Sequence, residues 1–374
     1  MWKRQRLFHA MDFQSLMYPC FTICRIFGMF PYKINASTFE IIKPHYIVSI
    51  MIGCFCCVAM LTYIYNIMIV ISIQNFEKII TGISGSTFFM LNWLITIITF
   101  VLSGPQMRLL QTISKVSQEL SSESYQKLSR LIHAKDIFGI IFLIIQTYSL
   151  AYKATHIIQL DYFTIFTGMI SLYFFVLTFE IIMIYINCVC VLKACFKNIN
   201  DNLAHMQRLM VNDIKSCVPG LICQRNQTLL LKLKALKKWH LRISDTVQML
   251  NTIFGLQLLG TIITSFINIT FDIYSSVVHW QDGVFINFDM HFLHIFSSSI
   301  VYYVVKITLL VWVCETGKNQ AQEISTTVHD LLNNIKDEQI KNEVKMKKGD
   351  CFIHILFTFY IDTILLYLLK DNCD

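Results

Sequence analysis

The sequence predicts an all-α, polytopic membrane protein with seven transmembrane helices, an intracellular N-terminus and cytoplasmic helical extensions that form an anchor bundle. Three observations predict it. Of 374 residues, 55% are hydrophobic and only 15% charged, against about a quarter charged in soluble domains. Seven apolar segments are legible, at 46–73, 82–103, 137–152, 162–192, 249–276, 291–314 and 351–369. Most reach the ~20 residues needed to cross a ~30 Å hydrocarbon core. Finally, Lys and Arg alternate along the chain. Successive segments outside the spans hold 6, 1, 5, 1, 10, 0, 6 and 1 of them, which puts 27 on one side and 3 on the other, with Lys306 inside a span. Positive residues collect in the cytoplasm, so the N-terminus is expected inside and the C-terminus outside. That orientation is inverted relative to a G-protein-coupled receptor.

The elements follow in order. Residues 1–45 form a basic cytoplasmic arm with no apolar core and cleavage site of a signal peptide. Residues 46–192 hold four spans. Pro44 fits a helix start before the first, and Pro105 follows Gly104 where the second ends. The third is short, at about 16 residues, unless it continues to Thr155. Residues 193–248 form a helical extension. Pro219-Gly220 marks a turn there, and Leu229, Leu233, Leu236, His240, Ile243, Val247 and Leu250 then recur as a heptad seam. Residues 249–314 hold two spans. In 315–350, Ala321, Ile324, Val328, Leu331 and Ile335 recur at 3-4-3-4 between polar positions, giving an amphipathic helix. The seams, with Leu233, Leu236, Ile243, Ile324, Val328 and Leu331 at their centre, are candidates for subunit assembly, or for bundling within one chain. Residues 351–374 hold the last span and a short extracellular tail.

The net charge of +7 lies almost wholly in the cytoplasmic segments. It fits topology and contact with anionic membrane lipid, not nucleic acid. Thirteen cysteines form no disulfide framework, because only Cys373 is expected outside. Cys54, Cys56 and Cys57 read as small packing residues, and His291 with His294 as an interfacial pair, so no metal site is expected. Asn35 and Asn226 match the glycosylation pattern but fall inside. Nucleotide loops, paired catalytic carboxylates and a Ser/His/Asp arrangement are not legible, and the expectation is no enzyme and no cofactor.

Ionisable residues inside spans mark function by default, because they cost free energy in lipid. Glu180, Lys306 and Asp362 are the clear cases. Glu180 and Lys306 lie at similar depth and are expected to pair, or else each satisfies itself locally. The outer halves of the middle spans carry aromatics with polar handles. Gln146, Tyr148, Tyr173, Phe266 and Tyr302 are the candidate ligand-binding set. An interfacial aromatic belt explains the more peripheral Tyr162 and Tyr274.

Two stretches carry a family resemblance: Asp12–Phe21 with Phe30–Ile34 and Ser37–Ile42, and Cys314–Ile324 with Val328–Asn334 and Asp337–Glu343. On these residues the chain resembles an insect gustatory receptor of the seven-span chemoreceptor superfamily, over residues 1 to 344. The resemblance implies a ligand-gated, non-selective cation channel for small-molecule tastants in the plasma membrane of sensory neurons. It also implies a homotetramer, or a hetero-oligomer with related receptors, whose inner extensions form a central anchor and whose last span lines the pore. The family's pore helix usually carries Thr-Tyr, five apolar residues and Gln-Phe. Here the run starts at Thr358-Phe359, ends at Leu365-Leu366 and contains Asp362. Thr358 and Asp362 are therefore the pore candidates, and a truncated or mis-spliced, non-conducting end is the other reading of residues 345–374. An odorant-type receptor of the same superfamily and a G-protein-coupled seven-helix receptor remain the alternatives.

Overall fold

A computed structural model describes residues 9–29, 32–35, 38–41, 43–71, 76–156, 162–212, 219–281 and 290–334. Within these, eight helices and one two-stranded hairpin occur, in the order α1 (Phe13–Ile26), β1 (Tyr32–Asn35), β2 (Thr38–Ile41), α2 (Lys43–Ile71), α3 (Phe76–Val101), α4 (Ser103–Ser117), α5 (Ser122–His156), α6 (Tyr162–Asn212), α7 (Pro219–Gln281) and α8 (Met290–Asn334). The last expected span, 351–369, with Thr358 and Asp362, lies outside the described residues. So do Asp337–Glu343, where the resemblance was also noted. The hairpin pairs Tyr32 with Ile41 and Asn35 with Thr38, antiparallel. It is a small departure from an all-helical chain.

Helix α1 starts where its sequence says it should. Asp12 accepts from the Ser15 backbone N–H at 2.7 Å, and the Ser15 hydroxyl receives the Asp12 N–H at 3.3 Å, a reciprocal cap. Phe13, Leu16, Met17, Cys20, Phe21 and Cys24 fall on one face, and all are buried. The chain leaves α1 through Gly28 at φ +70°, the left-handed region that glycine enters without penalty.

Five helices contain stretches long and apolar enough to cross a membrane by length and composition: Tyr46–Asn66, Gly82–Val101, Ile165–Leu209, Gln227–Tyr274 and Ser297–Leu331. The expected third span lies within α5, whose apolar part starts just after the buried Lys135–Asp136 pair. Helix α2 exposes Met51, Phe55, Val58, Leu61 and Tyr65, an apolar face of the kind that suits lipid. Helix α6 does the opposite. Its span is no more apolar than that of α2, yet it is almost wholly buried. It is the axis against which α1, α2, α3, α4, α5, α7 and α8 pack.

Helices α6, α7 and α8 run unbroken for 51, 63 and 45 residues, well beyond one membrane crossing. Helix α7 begins at Pro219, the position proline favours. Helices α6 and α8 stay together along their length. The Tyr185 hydroxyl meets Cys314 Sγ at 3.5 Å, a Cβ on Gly317 would sit 3.2 Å from Val189, and Thr327 donates to Asn200 Oδ1 at 2.6 Å. The seam residues Leu233, Ile243, Ile324, Val328 and Leu331 are buried within this one chain, and Leu236 packs half-buried against the same core. One subunit therefore already covers both seams, so they do not by themselves call for a second copy.

Helix α4 was not anticipated. It buries Leu109, Leu110, Ile113 and Val116 and is tied down at its end. Trp239 donates to the Val116 carbonyl at 3.2 Å, and buried Tyr125 donates to the Ser117 carbonyl at 2.8 Å. Burial pushes the Tyr125 phenol up to about 12.

Candidate functional site

Three groups of buried polar side chains among the described residues bear on function. The first joins α3, α4 and α7. Gln257 donates to Thr99 Oγ1 at 3.0 Å and accepts from Gln106 Nε2 at 3.0 Å, with all three residues buried. Gln257 uses both ends of its amide, one on Gln106 and one on Thr99, so the group reads as a structural clasp between helices.

The second group lies between α5 and α8. Gln146 Nε2 reaches Ser299 Oγ at 3.4 Å. Ser298 Oγ reaches Gln146 Oε1 at 3.5 Å and Ser149 Oγ at 3.0 Å. Beside it lies a narrow crevice lined by Leu143, Gln146 and Thr147 of α5, Leu172 and Phe175 of α6, and Tyr302 of α8. It is too tight as it stands for a water molecule. The wall below is aromatic. Tyr302 stacks on Phe142 at 6.0 Å, meets Phe175 edge-on at 5.6 Å and lies 5.2 Å from the Tyr303 ring. The Tyr302 hydroxyl points to the Phe175 carbonyl at 3.5 Å. Helices α5 and α6 approach closely here, since a Cβ on Gly139 would lie 2.7 Å from the Phe179 ring. A mostly apolar crevice with one amide, a threonine hydroxyl and a phenol on its wall has the chemical character of a small-molecule site.

The five candidate ligand residues separate. Gln146 and Tyr302 line the crevice together. Tyr148 does not join them: it is 66% exposed. Residues two apart on a helix point about 200° away from each other, so Gln146 and Tyr148 cannot both face inward. For the same reason Tyr173 turns away from Phe175. It is half-buried against a second aromatic cluster, where Tyr63 stacks on Phe89 at 4.2 Å and Phe89 meets Phe174 at 5.9 Å. Phe266 is half-buried on α7 and does not line the crevice. Phe175, Leu172 and Phe142 were missed, since apolar residues in an apolar span give no signal of their own.

The third group contains Glu180. The expected pair with Lys306 is not formed. Glu180 Oε2 instead accepts from Cys20 Sγ at 3.5 Å and Cys24 Sγ at 3.9 Å, both on α1. Lys306, equally buried, lies over the Tyr302 ring at 5.5 Å. Similar depth along two helices does not fix the same azimuth, and α1 occupies the azimuth that Glu180 faces. Nearby, Lys135 and Asp136 pair at 2.9 Å, and Asn187 donates to Asp136 at 3.4 Å. Cys54, Cys56 and Cys57 range from exposed to buried along α2.

These features define a polytopic helical membrane protein with a narrow, mostly apolar crevice in its bundle. The sequence model of a family described as 7tm chemosensory receptor matches residues 17–346, and the chain belongs to that family. Two solved structures share the fold. The insect olfactory receptor OR5 from Machilis hrabei superposes with a TM-score of 0.59 at 11% identity, over 94% of this chain and 98% of that one. The same receptor in complex with eugenol gives 0.59 and 11%, over 96% and 97%. No curated protein matches the sequence.

Proposed function

We propose that this chain is a gustatory-type chemoreceptor, a small-molecule-gated, non-selective cation channel of the sensory-neuron plasma membrane. The observation that carries the reading is the crevice between α5, α6 and α8, where Gln146, Thr147 and Tyr302 offer polar contacts on an aromatic wall. A small aromatic molecule with one hydrogen-bonding group suits that chemistry. The fold-mate bound to eugenol is an instance of such a ligand in a related receptor. Ligand pockets run to about 300–1,000 Å³, so entry here requires the Tyr302 or Phe175 ring to swing aside. Tyr302 sits on α8 directly above its long inner extension, so that movement has a rigid element to act on.

In this reading the N-terminus is cytoplasmic, and residues 193–248 and 315–350 form the inner anchor, in a homotetramer or a hetero-oligomer with related receptors. Thr358 and Asp362 belong to the pore. The test is whole-cell recording from cells expressing the full chain, challenged with tastants and volatile phenols while G-protein signalling is blocked. A ligand-evoked cation current that survives the block supports the channel. Responses that vanish with the block, or current only in the presence of a G protein, overturn it. The fold similarity is to an olfactory receptor, so a response confined to volatile odorants selects the odorant-type alternative.

A further inference from the structure

The third polar group has the makings of a metal site. Cys20 and Cys24 lie one turn apart on α1, so both side chains point the same way, and both are 2% exposed or less. Glu180 of α6 meets them and is 4% exposed. One donor atom from each of the three lies within 4.8 Å of the others. The spacing is also that of a coordination polyhedron. With metal–sulfur and metal–oxygen bonds of about 2.3 and 2.0 Å, a tetrahedral site places sulfur and oxygen about 3.5 Å apart. The two sulfur–oxygen separations here are 3.5 and 3.9 Å. Among the described residues, the two thiols are the hydrogen-bond donors to Glu180, and thiols are weak donors. A buried carboxylate needs a stronger counterpart than that.

We infer that Cys20, Cys24 and Glu180 bind a thiophilic divalent cation of the zinc class, joining α1 to the central helix α6. Two thiolates select a soft metal over calcium or magnesium. Binding releases both thiol protons to solvent as two metal–sulfur bonds form and Glu180 supplies the third ligand. A fourth position stays open to water. The charged groups facing the site from α5 are Lys135 and Asp136, already paired with each other. The opposite face of α1 exposes Tyr18 and Ile26, so this helix is the outer wall of the site and the element whose lifting admits the ion. The cation would act as a clasp on the N-terminal helix, separate from the ligand crevice.

The experiment uses the full chain in detergent, reduced and stripped with a chelator, then titrated with cadmium or zinc. Thiolate–cadmium charge-transfer absorption should grow and saturate at one ion per chain. Elemental analysis after gel filtration should find one zinc retained. Cys20→Ser and Cys24→Ser should each abolish the charge-transfer band, and Glu180→Gln should weaken affinity by about tenfold or more, as loss of a supporting group does. Cys54→Ser with Cys57→Ser should leave both readings unchanged. A wild-type chain that keeps its helical circular dichroism but gives no band overturns the inference without reference to any variant. A band that survives both single serine substitutions overturns it as well.

Discussion

At the scale of single residues, the bundle interior is governed by whether each polar group has a partner. Gln257 holds both Gln106 and Thr99. Gln257→Leu leaves those two buried groups without it, and each stranded group costs about 1–3 kcal/mol. Thermal unfolding in detergent should show a clear loss of stability for this variant, while Gln106→Leu with Gln257→Leu together should lose less than the sum. Glu180 and Lys306 should behave differently, because they face different neighbours, the Cys20 and Cys24 thiols for one and the Tyr302 ring for the other. Glu180→Gln and Lys306→Met should combine additively, within about 0.3–0.5 kcal/mol. A larger coupling would restore the direct pair that the sequence suggested.

The residue scale also shows why the candidate site was only half legible. The crevice holds an amide and aromatics, the residue types that the sequence singles out. What composition does not carry is azimuth. Gln146 and Tyr148 were chosen together, yet a helix cannot present both to one crevice. Phe175 and Leu172 were invisible because their neighbours are equally apolar.

At the scale of elements, the helix seams were legible from periodicity alone, and their partners were not. A 3-4 repeat says that a face is buried but is silent on what buries it. Here it is the same chain. Ile324→Ser or Leu331→Ser should therefore destabilise the subunit itself, by about 2–5 kcal/mol for loss of a buried aliphatic side chain. Fluorescence-detected gel filtration should show less folded protein and more aggregate. A well-folded, smaller particle would mean the seam serves assembly. Helix α1 had its signals in plain view, Asp12 with Ser15 as a cap and six apolar residues on one face. At 14 residues it is too short to span a membrane, and so is α4 at 15. The α5–α6 contact turns on Gly139, where a Cβ would already meet Phe179 at 2.7 Å. Gly139→Leu should pry these helices apart beside the crevice. It should lower surface expression, and a normal thermal transition in that variant would show that α5 moves freely on α6.

At the scale of the whole molecule, two spans of nearly equal hydropathy have opposite places. The span of α6 is almost wholly buried at the centre, and that of α2 takes the rim with a face that suits lipid. The chain belongs to the chemosensory receptor family and has its crevice beside α6, and the proposed function has a small molecule enter between α5, α6 and α8 and shift α8. The measurement that tests this most directly compares Gln146→Ala, Tyr302→Phe and Tyr148→Ala in the concentration dependence of a ligand-evoked response, with surface expression matched. Gln146→Ala and Tyr302→Phe should shift half-response by roughly fivefold or more, the loss of about one hydrogen bond each, and Tyr148→Ala should leave it within experimental scatter. A shift from Tyr148→Ala with Gln146→Ala silent would place the ligand on the outer face of α5 and contradict the account.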